Sequence, residues 1–291
     1  ATATSAGGSL TLQAGRAILV QASVILEGSF TATTNDANRA GSGNRRDDGD
    51  ATFLMSDGVT IDTSTGNRDI SISASIGGSD SDDDSGNIVI ETLNAGTGNV
   101  TLTNDDNDNS RGILRASADS LIAGESLNLS VTSTATGAVD DSLGLVTAPI
   151  LTRVSNLSAT TVGSGLFISN TGDLNLTNLN STSGVVDVRS IADTAAGDDG
   201  SITITSVNVN NNLTIESNNG SITLADGAIQ AGSGTVVLDS AGSITVAATN
   251  TTAADITTTS TVTLAAGTGI GEATTGAIDL SGNQIAATTA G

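Results

Sequence analysis

The sequence predicts an all-β chain wound as a parallel β-helix, and three observations carry that prediction. A short unit recurs: Gly, a small or polar residue, an aliphatic, a polar or small residue, an aliphatic. Its copies are closely spaced, with first aliphatics at 174, 186, 202, 213, 222, 236 and 244. The 291 residues include three Phe but no Trp or Tyr, so the large aromatics that anchor many β-sandwich cores are missing.

Each copy reads as a strand. Gly8-Ser9-Leu10-Thr11-Leu12 opens the series, then Gly86-Asn87-Ile88-Val89-Ile90 and Gly98-Asn99-Val100-Thr101-Leu102. The unit returns at Gly172-Asp173-Leu174-Asn175-Leu176, Gly200-Ser201-Ile202-Thr203-Ile204 and Gly220-Ser221-Ile222-Thr223-Leu224. Further copies begin at Gly234, Gly242 and Gly276, and looser ones lie at Ile70-Ser71-Ile72, Leu127-Asn128-Leu129, Leu213-Thr214-Ile215 and Val262-Thr263-Leu264. An aliphatic at every second position marks a strand with one buried face. Val, Ile and Thr suit a pleated surface. No stretch holds an apolar period of 3.6 residues.

Taken two strands at a time, the spacing is 28, 20 and 22 residues (174 to 202, 202 to 222, 222 to 244). Coils of roughly 20–22 residues with very short strands read as a solenoid. Residues 1–291 are thus expected to form one continuous solenoid of roughly 13 coils at about 4.8 Å each. A longer repeat is superimposed. Ile150, Leu157, Ala159, Thr160, Thr161 and Gly163 match Ile278, Ile285, Ala287, Thr288, Thr289 and Gly291, each 128 residues later, which pairs 36–163 with 164–291. The upper copy continues past Gly163 into further strand-like sequence, so the chain reads as a processed or excised piece of a longer protein.

Composition excludes much chemistry. There is no His, Cys or Lys, and all nine basic residues are Arg. That removes the usual zinc sites, Ser-His-Asp triads, thiol chemistry, Schiff bases and P-loops. The net charge of −22 argues against nucleic acid, whose binders carry a basic footprint. No apolar run approaches the roughly 18–20 residues of a membrane span, so no membrane insertion is expected.

The repeated Gly-Ser/Asn/Asp-Ile-Thr-Leu units, Gly267-Thr268-Gly269-Ile270-Gly271 and the closing Ile285-Ala286-Ala287-Thr288-Thr289-Ala290-Gly291 resemble filamentous-haemagglutinin-type β-helical repeats. The resemblance covers about 86–291 well and 1–85 loosely. Such repeats build large bacterial surface proteins, including adhesins and autotransporter passengers. The resemblance implies a right-handed parallel β-helix, export to the bacterial cell surface, and a role as stalk, fibre or adhesin.

Three acidic clusters interrupt the pattern: Asp47-Asp48-Gly49-Asp50, Asp80-Ser81-Asp82-Asp83-Asp84-Ser85-Gly86 and Asn104-Asp105-Asp106-Asn107-Asp108-Asn109. They are read as loops protruding at 79–86 and 104–110, and a loop excursion over 31–50. Calcium takes six to eight oxygen ligands, which alternating Asp can supply. If calcium is the cofactor, Asp80, Asp82, Asp84, Asp105, Asp106 and Asp108 are its ligands. Gly86 falls one place late for an EF-hand loop. The competing reading is a set of solvated turns that keep the protein soluble. Paired carboxylates can serve a glycosidase, but these lie in turns and no Tyr or Trp offers a sugar platform, so no enzyme is expected.

Thr-rich runs such as Thr203-Ile204-Thr205 and Thr257-Thr258-Thr259 resemble ice-binding ladders but are better explained by β-propensity. Asn-x-Ser/Thr triplets at Asn99, Asn128, Asn156, Asn175, Asn180, Asn212 and Asn250 are glycan acceptors only where a host glycosylates Asn, and Asn also fits solenoid turns. Phe30, Phe53 and Phe167 are expected to plug the core, and Arg45-Arg46 to pair locally with Asp47-Asp48.

The functional expectation is a non-enzymatic subunit or segment of an extracellular surface filament. Its open terminal rungs pair end to end with another copy or continue into more chain. The alternative is a monomeric adhesin that grips a glycan or matrix surface through its loops. Calcium held by the acidic clusters would raise the melting temperature by mass action; an unchanged melting curve at concentrations on the order of millimolar calcium would remove calcium from the account.

Overall fold

The computed structural model describes residues 3–5, 7–36, 51–74, 85–106, 112–133, 143–162, 165–247, 253–271 and 277–290. They form strands and no helix. The architecture is a parallel β-helix, and the chain divides into two units. Unit 1 comprises 1–151 and 161–164; unit 2 comprises 152–160 and 165–291.

Each coil of unit 1 has three strands. The first holds β1 (Ala3–Ser5), β2 (Leu10–Gln13) and β3 (Ile18–Val20); the second β4 (Val24–Leu26), β5 (Phe30–Thr34) and β6 (Ala51–Met55). Then come β7 (Thr60–Asp62), β8 (Ile70–Ala74) and β9 (Ser85–Ile90), followed by β10 (Thr92–Asn94), β11 (Asn99–Asp106) and β12 (Ile113–Arg115). The long β13 (Leu121–Ser133) runs alongside both β10 and β11. First strands stack on first strands as sheet A, second as sheet B and third as sheet C, all parallel.

The register places like on like. In sheet B one inward column reads Leu10, Phe30, Ile70, Val100, Leu127. In sheet C it reads Ile18, Phe53, Ile88, Ile113. Phe30 and Phe53 meet edge to face inside the second coil, centroids 6.5 Å apart, and both are fully buried. The excursion expected from residue 31 starts no earlier than Asn35, because Thr31–Thr34 complete β5. Ala32 and Thr34 point inward there and are buried. Residues 37–50 lie outside the described residues, including Arg45 and Arg46.

Strand β14 (Ile150–Thr161) crosses the boundary between the units. Unit 2 then winds through β15 (Leu166–Thr171), β16 (Leu174–Ser181), β17 (Val186–Ile191), β18 (Ile202–Ile204) and β19 (Val207–Val209). It continues with β20 (Leu213–Ser217), β21 (Ile222–Leu224), β22 (Ile229–Ala231), β23 (Val236–Ser240), β24 (Ser243–Val246) and β25 (Ile256–Thr258). The last strands are β26 (Thr261–Ala266), β27 (Gly269–Ile270), β28 (Leu280–Ser281) and β29 (Gln284–Thr289). Three parallel sheets result: D from β15-β17-β20-β23-β26-β29, E from β16-β18-β21-β24-β27, and F from β16-β19-β22-β25-β28.

The inward column of sheet D is Leu166, Val186, Leu213, Val236, Val262, Ile285. The basic coil is the expected one: Ile202 stacks on Ile222 and Ile222 on Ile244, steps of 20 and 22 residues. Longer steps carry insertions, as between Leu174 and Ile202. At the D-to-E corner an inward polar column replaces the aliphatics: Ser190, Ser217 and Ser240 donate to the carbonyls of Gly172, Gly200 and Gly220. The same turn carbonyls take further donors, Asn170 Nδ2 at Gly172 O and the Gly242 amide at Gly220 O.

Phe167 is not a core plug. It occupies an outward position of β15 beside inward Leu166 and Ile168, and its ring lies over Gly165, where an added Cβ would come within 2.4 Å of it. Thr203, Thr223 and Thr245 do stack in register. The column is one residue wide and Thr245 is buried, so it is no flat Thr-x-Thr array. Asn99, Asn128, Asn156, Asn175 and Asn180 sit within strands. Several tie neighbouring coils together, as Asn175 does to Asn156. Asn250 lies outside the described residues.

The insertion between β17 and β18 is held by Asp193. Arg153 Nε donates to Asp193 Oδ2 at 2.7 Å, and a second guanidinium nitrogen joins it. The amides of Ala195 and Ala196 donate to Oδ1. The Arg153 hydrogen bond, against a smaller opposing cost of burial, holds this carboxyl below the usual carboxylate range. A depressed folded pKa contributes stability above the unfolded value, and that contribution fades as pH falls through the folded value. Asp193→Asn should therefore lower the melting temperature at neutral pH, with the gap to wild type closing once pH drops below about 4; parallel melting curves at all pH values would contradict it.

Candidate functional site

The chain passes from sheet B to sheet C after β2, β5, β8 and β11, and after β13 it reaches Leu143, which bridges to Ile113 of β12. The passages run through 14–17, 35–50, 75–84, 107–112 and 134–142. The three acidic clusters fall within or beside the second, third and fourth of these. Winding therefore brings to one corner of unit 1 the strand ends that flank all three clusters, which the sequence shows only as separate interruptions.

Of the predicted calcium ligands, Asp105 lies on β11, with Oδ1 accepting a 2.7 Å hydrogen bond from Thr132 Oγ1 on β13. Asp106 ends β11 in backbone, and its side chain is outside the description. Asp80, Asp82, Asp84 and Asp108 lie outside the described residues, as do Asp47, Asp48 and Asp50. Among the described residues no group of three or more acidic side chains gathers where a metal could be held. Counted from Asp80, the twelfth position is Glu91, where an EF-hand places a bidentate Glu. Glu91 is buried and accepts hydrogen bonds from Ser117 and Ser120 instead.

The corner has a residue that sequence reading missed. Asn104 takes an inward position on β11, in register with Ala74 and Val131. It is fully buried. Its Nδ2 donates to Gly86 O at 3.1 Å and Gly112 O at 3.3 Å, the backbone at the start of β9 and just before β12. Its Oδ1 has no hydrogen-bond partner. The available signal was an Asn two residues after Leu102 on the buried register, where the pattern called for an aliphatic.

Two rungs have an uncovered face. In β29 every residue is exposed, although Ile285 continues the column of Val236 and Val262. Ile285 is 54% exposed, whereas Val236 and Val262 are at 0%. In unit 1, Leu10 and Leu12 of β2 are half-buried, while Phe30 and Ala32 stacked upon them are buried. A further recess of about 550 Å³ opens at the A-to-B corner, lined by Ser9, Glu27, Ser29, Thr65 and Arg68 among glycine backbone.

No family model, curated protein or solved structure matches the chain. No helix among the described residues is long and apolar enough to cross a membrane.

Asn104 is the side chain on which the acidic corner closes. Replacing it with Ala leaves Gly112 O with its bond from Ile88 N but removes the side-chain donor to Gly86 O, a loss of about 1–3 kcal/mol. Asn104→Ala should shift the urea midpoint down by an amount equivalent to about 1–3 kcal/mol, and an unchanged midpoint would show that the corner is held by other contacts.

Proposed function

We propose that this chain is a structural subunit or segment of an extracellular bacterial surface filament, non-enzymatic, in which coils stack end to end. The observation that carries the reading is the register: in sheet D like stacks on like from rung to rung, Val236 on Val262 and Val262 on Ile285, so each rung offers the next a matching inward column and a ladder edge. A parallel ladder with an open rung is a template for another strand. Burying Ile285 as fully as Val262 would add about 1.5–3 kcal/mol from that side chain alone, in addition to a new row of backbone hydrogen bonds. The resemblance to filamentous-haemagglutinin-type repeats supports the same role and the same location.

A second reading, a monomeric adhesin, is favoured by the polar recess around Glu27 and Arg68. Its mixed hydroxyl, carboxylate and guanidinium lining suits the hydroxyls of a glycan.

Electron microscopy and fibre diffraction separate the two. The filament reading expects wild-type filaments with an axial reflection near 4.8 Å. It expects Ile285→Asp, which puts a charge on the uncovered column, to leave separate particles with unchanged far-UV dichroism. Filaments unaffected by Ile285→Asp would refute stacking through β29, and separate wild-type particles would move the search to the recess and its ligand.

A further inference from the structure

The recess at the A-to-B corner of unit 1 is walled by three successive coils. The second coil turns this corner in three residues, Glu27-Gly28-Ser29, and the third in seven, 63–69. The longer passage lies against the shorter at Gly66, where an added Cβ would come within 2.0 Å of Glu27 O. Hydrogen bonds fix the longer passage. Thr63 Oγ1 donates to Arg68 O. The amide and hydroxyl of Ser64 donate to Asp62 Oδ1 at 2.8 and 2.6 Å. Asn67 Oδ1 accepts from the Thr97 amide of the fourth coil at 3.0 Å. On the opposite wall Ser9 Oγ accepts from the Ser29 amide at 3.0 Å, which leaves its own proton free to donate. The space between the walls is about 550 Å³.

Two opposite charges face that space unpaired. Glu27 and Arg68 both line it, and both are exposed. Neither makes an ion pair or a side-chain hydrogen bond with any described residue. Asp69, next to Arg68 in sequence, is engaged by the fourth coil instead: its Oδ1 accepts from Asn99 N at 2.8 Å and Asn99 Nδ2 at 3.2 Å. Glu27 Oε2 lies toward the first coil, 3.9 Å from where a Cβ on Gly7 would stand. A pair between two exposed side chains is worth only about 0–1 kcal/mol, so a ligand that holds them apart gives up little. The rest of the described lining is hydroxyl and glycine backbone, with no aromatic or aliphatic side chain.

The charges identify the ligand class. An anion would meet Arg68 but also Glu27 and the field of a chain of net charge −22. A cation would meet Glu27 but also Arg68. A neutral sugar would use neither charge. A molecule with one group of each sign makes two charge-assisted hydrogen bonds and carries no net charge to be repelled. We propose that the recess binds a zwitterionic ligand, its ammonium at Glu27 and its carboxylate at Arg68, with the hydroxyls of Ser9, Ser29 and Thr65 bonding its remaining polar groups. The inference rests on the recess of the second reading, in whose terms the ligand is a sugar unit bearing both an amino and a carboxyl group; a free amino acid shares that chemistry.

The test is a chemical-shift titration of the full chain with a matched series of sugars. Glucosaminuronate carries both charges, glucosamine and glucuronate carry one each, and glucose carries neither. β-Alanine is added as a zwitterion without a sugar ring. Glucosaminuronate is expected to bind at least about tenfold tighter than the other sugars. Glu27→Gln should reduce it to the level of glucuronate, and Arg68→Gln to the level of glucosamine. Both side chains are exposed, so both variants should melt as wild type does. β-Alanine binding as tightly as glucosaminuronate would support the zwitterion site and overturn the glycan reading. Equal binding of all the sugars, or a preference that survives both substitutions, would overturn the zwitterion proposal and leave the glycan reading standing. No binding by any probe would overturn both.

Discussion

Close approach of backbone to backbone from one coil to the next is the constraint on which the structure depends. At the corners the chain turns directly above its own previous turn. A Cβ on Gly66 would come within 2.0 Å of Glu27 O, and one on Gly234 within 2.0 Å of Asn211 O. Gly234 opens a copy of the repeated unit, as do Gly98 and Gly220, where a Cβ would come within 2.5 Å of Arg68 O and of Ser201 N, so the glycine that opens the unit is there because the preceding coil leaves no room for a side chain. Once corners can stack, the register follows. Each aliphatic falls on an aliphatic, and inward hydroxyls at the D-to-E corner bond the carbonyls of the turn beneath them. The small aromatic content is a consequence: in a section only three short strands across, Ile, Val and Leu fill the space, and two Phe rings suffice to fill one coil of unit 1.

Charge is distributed against this background in an ordered way. Arg153 meets Asp193 within an insertion, and Arg189 meets Asp187 on its own strand and Glu216 on the next. The remaining excess is acidic. A body with this net charge repels its copies at long range and is steered toward cationic partners. The stacking proposed above would have to overcome that repulsion at short range through apolar contact and hydrogen bonds, and salt would assist it by screening the repulsion.

Much of the fold was legible because inward positions of a strand recur with period two, and Leu174-x-Leu176 or Ile202-x-Ile204 display that period openly. Strand β5 was hidden by composition: Thr31 to Thr34 fill a rung with Thr and Ala, which read as loop when only aliphatics are counted. Phe167 was misplaced because a lone aromatic reads as core, while its outward position is set by Leu166 and Ile168 on either side. The outward aliphatics of sheet C, Leu19, Leu54 and Val89, did leave a trace. Ile18-Leu19-Val20, Phe53-Leu54-Met55 and Ile88-Val89-Ile90 are each apolar at three consecutive positions, where one buried face requires only two of the three. The convergence on one corner of the strand ends that flank the acidic clusters was not legible, since it depends on coil lengths that vary with insertion. Asn104 was lost within an acidic run whose charge drew attention from its inward register.

Insertion length is unevenly shared among the corners of unit 1. The A-to-B passages hold 4, 3, 7 and 4 residues before β13 closes that corner, whereas the B-to-C passages hold 4, 16, 10, 6 and 9. Residues added between two sheets do not enter the ladder, and lengthening such a connection adds little closure entropy. The rungs on either side keep their register across even the longest passage, as Phe53 on Ile18 shows. Descent with modification can therefore rewrite that corner without renegotiating the core. The same tolerance makes it a natural place to graft foreign peptides for display, in an ordered row along a rigid support.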